Sequence, residues 1–239
     1  KRLTSYLILM SAKFSVIIPA HNEENYIRKT LHSIKNQTYQ DYEVIVVTNG
    51  CTDKTEEVVK KRLNDKIKHL SLNKANVSRA RNYGASKAVG EFLLFLDADT
   101  LLDKDSLQKI NQSFSEEHSV ITTRVKPDDE KLKYKIGMNF KNFYLRTNIY
   151  NGCSGALVCR RHDFDKVNGY DPELVVKEHR KLILKLLELG KFGCVDTHVT
   201  TSMRRLQQWG LMGSTVFWLK QLIKDKFGKL SSSDYEKVR

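Results

Sequence analysis

Phe92-Leu93-Leu94-Phe95-Leu96 runs without a polar side chain into Asp97-Ala98-Asp99. An apolar run of that length, opened by Gly90 and closed by acids, reads as a strand buried on both faces. Phe14-Ser15-Val16-Ile17-Ile18, cut off at Pro19, reads the same way, as do Tyr42 to Val47 and the short stretch Ile67 to Leu72. Helical patterns separate these strands. Ile27, Leu31 and Ile34 recur at three- to four-residue spacing after Asn22-Glu23-Glu24, Thr52-Asp53 opens a helix through about Leu63, and Ser78 to Val89 forms a third, ended by Gly90. Strands alternating with helices predict an α/β fold, a three-layer sandwich with a mostly parallel central sheet and helices on both faces. Ligands of such sheets sit beyond the carboxyl ends of the strands. Pro19 to Glu23, Thr48 to Asp53 and Asp97 to Asp99 lie at those ends.

Working outward, 239 residues with 40% hydrophobic side chains bury a substantial core, and the chain carries no internal repeat, low-complexity tract or linker. Beyond residue 118 the order becomes mixed: a strand over Ser119 to Val125, a helix over about Lys131 to Thr147, and a turn at Asn151 to Gly155 leading into a strand at Ala156 to Val158. Helices follow at Arg161 to Val167, closed by Asn168-Gly169, and at Glu178 to Leu189.

A formal charge of +13 favours phosphate-rich ligands, nucleic acid or an anionic membrane surface. The basic residues are spread along helices and are not interleaved with aromatics on an RNA or DNA motif, so nucleic acid is not the expected partner. Cys51, Cys153, Cys159 and Cys194 form no Cys-x-x-Cys pair, which argues against a zinc site or a disulfide framework and for a reducing, cytoplasmic setting. Leu7 to Met10 is too short to span a membrane.

Asp97 and Asp99 place two carboxylates where a buried strand meets a cleft, a costly arrangement unless a cation neutralises them. Oxygen ligands at this density suit Mg2+ or Mn2+ bridging a diphosphate. A plainer role for Asp99-Thr100 is to cap a following helix.

Val16-Ile17-Ile18-Pro19-Ala20-His21-Asn22-Glu23, Gly50-Cys51-Thr52-Asp53-Lys54-Thr55, Ala80-Arg81-Asn82, Ala88-Val89-Gly90 and Phe95-Leu96-Asp97-Ala98-Asp99 follow one another in that order. With them the chain resembles the family 2 glycosyltransferases of the GT-A fold over roughly residues 14 to 205. The resemblance implies a metal-dependent, inverting transfer of a sugar from a UDP- or GDP-linked donor to a lipid-linked or saccharide acceptor. It makes residues 14–118 the nucleotide-sugar-binding half and 119–205 the acceptor-binding half, preceded by an extension over 1–13.

By that resemblance Pro19, Ala20 and Glu23 contact the nucleotide, although Glu23 also suits a helix N-terminus. Asn49 stands where relatives carry an acid for the base, which leaves uracil and guanine both open. Asp97 and Asp99 take Mn2+ or Mg2+ with the diphosphate. Arg79 and Arg81 fall on different faces of one helix; Arg81 matches the family position and suits either the diphosphate or Asp97. Arg204 or Arg205 covers the diphosphate. Relatives place Glu-Asp where this chain has Glu178-His179, so the general base is Glu178 or His179, or catalysis is absent and the domain is a nucleotide-sugar or partner binding module. His198 is read as an ordinary strand residue. Over residues 206–239 an aromatic, basic, amphipathic stretch, with Trp209, Phe217, Trp218, Lys220, Lys224 and Lys229, suits the inner face of an anionic membrane, packing on the domain, or a dimer.

Overall fold

A computed structural model describes residues 12–147, 151–153 and 155–227. Most of the 1–13 extension and the tail beyond 227 lie outside the described residues.

The strands are β1 (Phe14–Ala20), β2 (Tyr42–Asn49), β3 (Ile67–Leu72), β4 (Phe92–Leu96), β5 (Thr100–Leu102), β6 (His118–Pro127), β7 (Ala156–Arg160) and β8 (Lys191–Thr201). The helices are α1 (Ile27–Lys35), α2 (Thr55–Lys60), α3 (Val77–Ser86), α4 (Ser106–Ser113), α5 (Leu132–Arg146), α6 (Arg161–Lys166), α7 (Glu178–Leu186) and α8 (Arg204–Lys226). All eight strands join one sheet in the order β3-β2-β1-β4-β7-β6-β8-β5. Pairing is parallel among β1 to β4 and again between β6 and β8, whereas β4 with β7, β6 with β7 and β5 with β8 are antiparallel. The sheet is therefore parallel in its first half and mixed in its second.

Two apolar layers cover the sheet because successive strand residues face opposite sides. Phe14, Val16 and Ile18 pack with Ile27, Leu31 and Ile34 of α1 on one side. Ile17, Ile45 and Phe95 pack with Ala80 of α3, Phe164 of α6 and Leu182 of α7 on the other.

Several boundaries differ from the sequence expectation, each for a local reason. β1 continues through Pro19 to Ala20 alongside β2, while its pairing with β4 ends at Ile17. Phe14 N–H bonds Asp41 on the β2 side, so by alternation Pro19 faces the β4 side, where no ladder partner is required. α1 starts at Ile27 because Asn22 adopts a left-handed φ of 54° and the loop up to Tyr26 is tied to the next loop. Asp99 does not cap a helix: Thr100 opens β5, which pairs with β8, and α4 begins only at Ser106.

Candidate active site

The first two loops beyond the sheet are laced together side chain to backbone. Thr52 N–H donates to Asn22 Oδ1 at 2.8 Å, Glu24 N–H to Asp53 Oδ2 at 3.1 Å, and Lys54 N–H to Glu24 Oε2 at 2.9 Å. Thr55 Oγ1 accepts from Glu23 N–H and donates to Asp53, both at 2.6 Å. Asn49 extends the lacing: its amide nitrogen donates to Ala20 O at 3.0 Å and its oxygen accepts from Asn76 N–H at 2.9 Å. The amide expected at the base is thus engaged in holding β1, β2 and the start of α3 in register. Gly50 lets the third loop approach, with φ of +64° and a position where a Cβ would lie 2.6 Å from Ala75 N. Pro19 and Ala20 are buried in β1 beneath this network.

α3 delivers Arg81, only 2% exposed, to the end of β4. Its Nη2 donates to Asp97 Oδ1 and its Nη1 to Glu178 Oε1, both at 2.8 Å. Burial opposes the charge, but the Glu178 and Asp97 carboxylates outweigh it and hold the guanidinium ionised, its pKa raised. Arg79, by contrast, pairs with Glu173 at the surface, as its different helix face predicts.

The second cation is Arg204, at the start of α8. It makes a two-pronged bond to Glu23 at 2.6 and 2.9 Å and reaches Asp99 Oδ2 at 2.9 Å, with its guanidinium 4.6 Å from the centroid of Tyr26. Glu23 is 1% exposed and serves as Arg204's counter-ion; α1 has no acid in its first turn. Arg205 lies over the Trp209 ring, 5.7 Å from its centroid. The structure thus assembles Asp97, Arg81 and Glu178 in one cluster and Asp99, Glu23 and Arg204 in another. Each aspartate is paired with an arginine.

His179 follows Glu178 but is held differently. Its Nδ1 meets Tyr170 OH at 2.9 Å and its Nε2 is buried without a hydrogen-bond partner. Burial, reinforced by the Arg81 charge, depresses its pKa to about 4. The residue before the pair, Lys177, caps α7 in a left-handed conformation, φ 57°, and bonds Asp225 of α8 at 3.2 Å. His198 pairs loosely with Asp103 at 4.0 Å on β8, as an ordinary strand residue would.

Tyr170 and Tyr26 were not singled out from sequence as site residues. The signal for Tyr170 lay in Asn168-Gly169-Tyr170. Gly169, at φ +56°, turns the chain where a Cβ would strike Phe164 and Asn82, and Asn82 grips Tyr170 N–H and C=O at 3.0 and 2.8 Å. Consecutive residues of α3 thereby hold two sides of the cleft, Arg81 the acids and Asn82 the tyrosine. Tyr26 carried no such mark.

Donor chemistry here suits a divalent cation. Asp97 and Asp99 offer hard oxygen ligands two residues apart, Asp97 with its side chain 40% exposed, and Mg2+ or Mn2+ is commonly held by one or two carboxylates with phosphates and water completing the shell. No cluster of three or more His, Cys, Asp or Glu side chains suited to a metal exists among the described residues.

The sequence matches the family described as Glycosyl transferase family 2 over residues 15–170. The chain belongs to glycosyl transferase family 2. Among curated members, it is 38% identical over 112 residues to poly(ribitol-phosphate) beta-N-acetylglucosaminyltransferase TarS of Staphylococcus aureus, covering 45% of this chain and 20% of TarS. Glycosyltransferase GlyA of Streptococcus pneumoniae is 34% identical over 111 residues, 46% of this chain and 16% of GlyA. The chain thus spans about a fifth or less of these relatives. An uncharacterized Rickettsia typhi glycosyltransferase is 26% identical over 249 residues, covering 93% of this chain and 76% of its own length.

Solved structures share the fold. S. aureus TarS 1-349 in complex with UDP-GlcNAc superposes with a TM-score of 0.65 at 22% identity, over 80% of this chain and 58% of that one. The mannosyltransferase PcManGT of Pyrobaculum calidifontis, in complex with GDP-Man and Mn2+, gives 0.67 at 19% identity, over 80% and 56%. The architecture is the GT-A fold that the family resemblance implies.

Proposed function

We propose that this chain is the transferase domain of an inverting hexosyltransferase that takes a sugar from a UDP- or GDP-linked donor to a lipid-linked or saccharide acceptor, with peripheral membrane contact through its C-terminal helix. The observation that carries the reading is the convergence of Arg81 and Arg204 on Asp97 and Asp99, at the strand end where donors of α/β sheets bind. UDP-GlcNAc on TarS and GDP-Man with Mn2+ on PcManGT support the same donor class.

In this reading the laced loops at Pro19 to Glu23 and Asn49 to Thr55 form the floor for the nucleoside. Asp97 and Asp99 hold Mn2+ or Mg2+, which when bound offsets charge on the diphosphate leaving group. Arg204, released from Asp99, turns to the diphosphate, keeping one end on Glu23. Arg81 fixes Asp97 and Glu178 relative to one another, a positioning role that matters because small displacements at a reacting centre are costly. Glu178 is the general base for the acceptor hydroxyl, because His179 Nε2 is shut off from the cleft and its Nδ1 is engaged with Tyr170.

A transfer assay with UDP-GlcNAc and GDP-Man, with Mn2+, tests this directly: release of free nucleotide diphosphate, lost on Glu178→Gln, supports it. A domain that binds nucleotide-sugar without turnover is the second reading, motivated by the family departure at His179. Donor binding without release, unaffected by Glu178→Gln, would favour it.

A further inference from the structure

Thirteen large apolar side chains are exposed among the described residues, and their distribution is uneven: nine lie on α5 and α8, and a tenth, Phe227, caps α8. On α8, Met212, Val216, Leu219, Ile223 and Phe227 follow one another at steps of three and four and form one stripe, with exposures from 48% to 83%. Among the described side chains the opposite face is mixed. Ser214 and Gln221 are the side chains buried there, with Phe217 and Asp225 half-buried beside them. A helix lying on a water-soluble domain normally turns its apolar stripe to the core and its polar face outward. α8 turns an apolar stripe outward instead.

α5 adjoins it. Met203 N–H bonds Asp128 at 2.8 Å and Gln207 bonds Asp129 at 2.9 Å, immediately before α5. α5 buries Tyr134, Asn142 and Leu145 yet exposes Leu132, Ile136, Phe140 and Phe143, again at steps of three and four. The charge on both helices is predominantly basic. α5 holds Lys133, Lys135, Lys141 and Arg146 and no acid. α8 holds one acid, Asp225, and it is taken by Lys177 at 3.2 Å and Lys181 at 2.7 Å. Among the described residues no helix is long and apolar enough to cross a membrane.

From the outward apolar stripe of α8 and the excess of basic residues on both helices, we propose that α8, with the exposed stripe of α5, lies in the interface of an anionic lipid bilayer. Apolar side chains enter the boundary between headgroups and acyl chains while the lysines meet anionic headgroups. α8 is fastened at its start by Arg204 to Glu23 and near its end by Asp225 to Lys177, beside Glu178, with a break at Gly210 before the stripe begins. The proposal deepens the acceptor part of the function above and rests on it only there; membrane attachment itself requires no donor.

Its test uses the two tryptophans of the sequence, Trp209 and Trp218, which both lie on α8. Emission and flotation are measured with vesicles of phosphatidylcholine alone and of phosphatidylcholine mixed with phosphatidylglycerol, without nucleotide-sugar. The expected result is flotation and a blue-shifted emission with the anionic vesicles, weakened by salt because headgroup attraction is screened. Met212→Ser with Ile223→Ser should lower the bound fraction at least roughly tenfold, as apolar area supplies much of such binding, while the thermal midpoint holds. Absence of binding to anionic vesicles overturns the proposal. So does a wild-type dimer in solution that the same substitutions convert to monomer, because the stripe would then be covered by a second copy. Loss of donor turnover with intact vesicle binding would count against the enzyme reading alone.

Discussion

Arg204 holds Glu23 from 181 positions away in the chain, through two hydrogen bonds of 2.6 and 2.9 Å. The pair joins the first loop of the sheet to the start of the last helix, and Asp99 shares the same guanidinium at 2.9 Å. Glu23 is 1% exposed, so the contact is made away from water.

Arg204→Met should therefore destabilise the fold by about 3 kcal/mol, the usual cost of stranding a buried charge. Adding Glu23→Gln should recover part of that loss, since no buried charge then remains unpaired. Urea unfolding of the two single variants and the double variant gives the coupling; additive effects would show that the contact is energetically idle.

Arg81→Lys should preserve the fold and lower turnover by roughly 10²-fold, because one ammonium cannot donate in a fork to both Asp97 and Glu178. Steady-state nucleotide release, with circular dichroism as the control for folding, measures it. Turnover within about twofold of wild type would remove Arg81 from the positioning role.

How much of this was legible from sequence follows the range of each interaction. β1, β2 and β4 and the loops beyond them were readable because their signals are local: apolar runs ended by Pro19, Gly50 and Asp97. The pairing of β7 with β4, and of β8 with β6 and β5, was not, since periodicity reports which face is buried and not which strand is the neighbour. Asp97 and Asp99 were found as a strand-end pair, but their arginine partners are 16 residues away for Arg81 and far beyond local reach for Arg204. Asn49 was read as a ligand for the base because its type allows it; its engagement with Ala20 and Asn76 is a tertiary fact. The C-terminal helix was legible as amphipathic, but only coordinates tell which face is inward.

His179 supplies a pH prediction. Its folded-state pKa is depressed to about 4, so below its ordinary value near 6.5 the unfolded chain takes up a proton that the folded protein refuses. This group costs nothing above pH 6.5 and removes stability as pH falls from there towards 4, on the order of 3 kcal/mol at the limit. His179→Gln, which does not titrate, should flatten that part of the stability profile. Thermal midpoints of both proteins between neutral pH and the onset of acid unfolding test it; parallel curves would contradict the burial argument.

Glu178 and His179 should also separate by activity. Glu178→Gln is expected to lower turnover by 10²-fold or more at unchanged fold, as loss of a general base does, and His179→Gln by less than about tenfold. The reverse order would reassign the base to the histidine and require His179 Nε2 to become accessible on acceptor binding.

The central claim is that Asp97 and Asp99 mark a metal-dependent nucleotide-sugar site, and thermal stability in the presence of donor tests it most directly. A ligand bound only by the folded state stabilises it by about 2.7 kcal/mol at a hundred times its dissociation constant, a shift of several degrees. UDP-GlcNAc or GDP-Man with Mn2+ should raise the midpoint by that much, neither alone should match the combination, and Asp99→Asn should abolish the gain. No shift with any UDP- or GDP-sugar, or an equal shift in Asp99→Asn, would contradict the account.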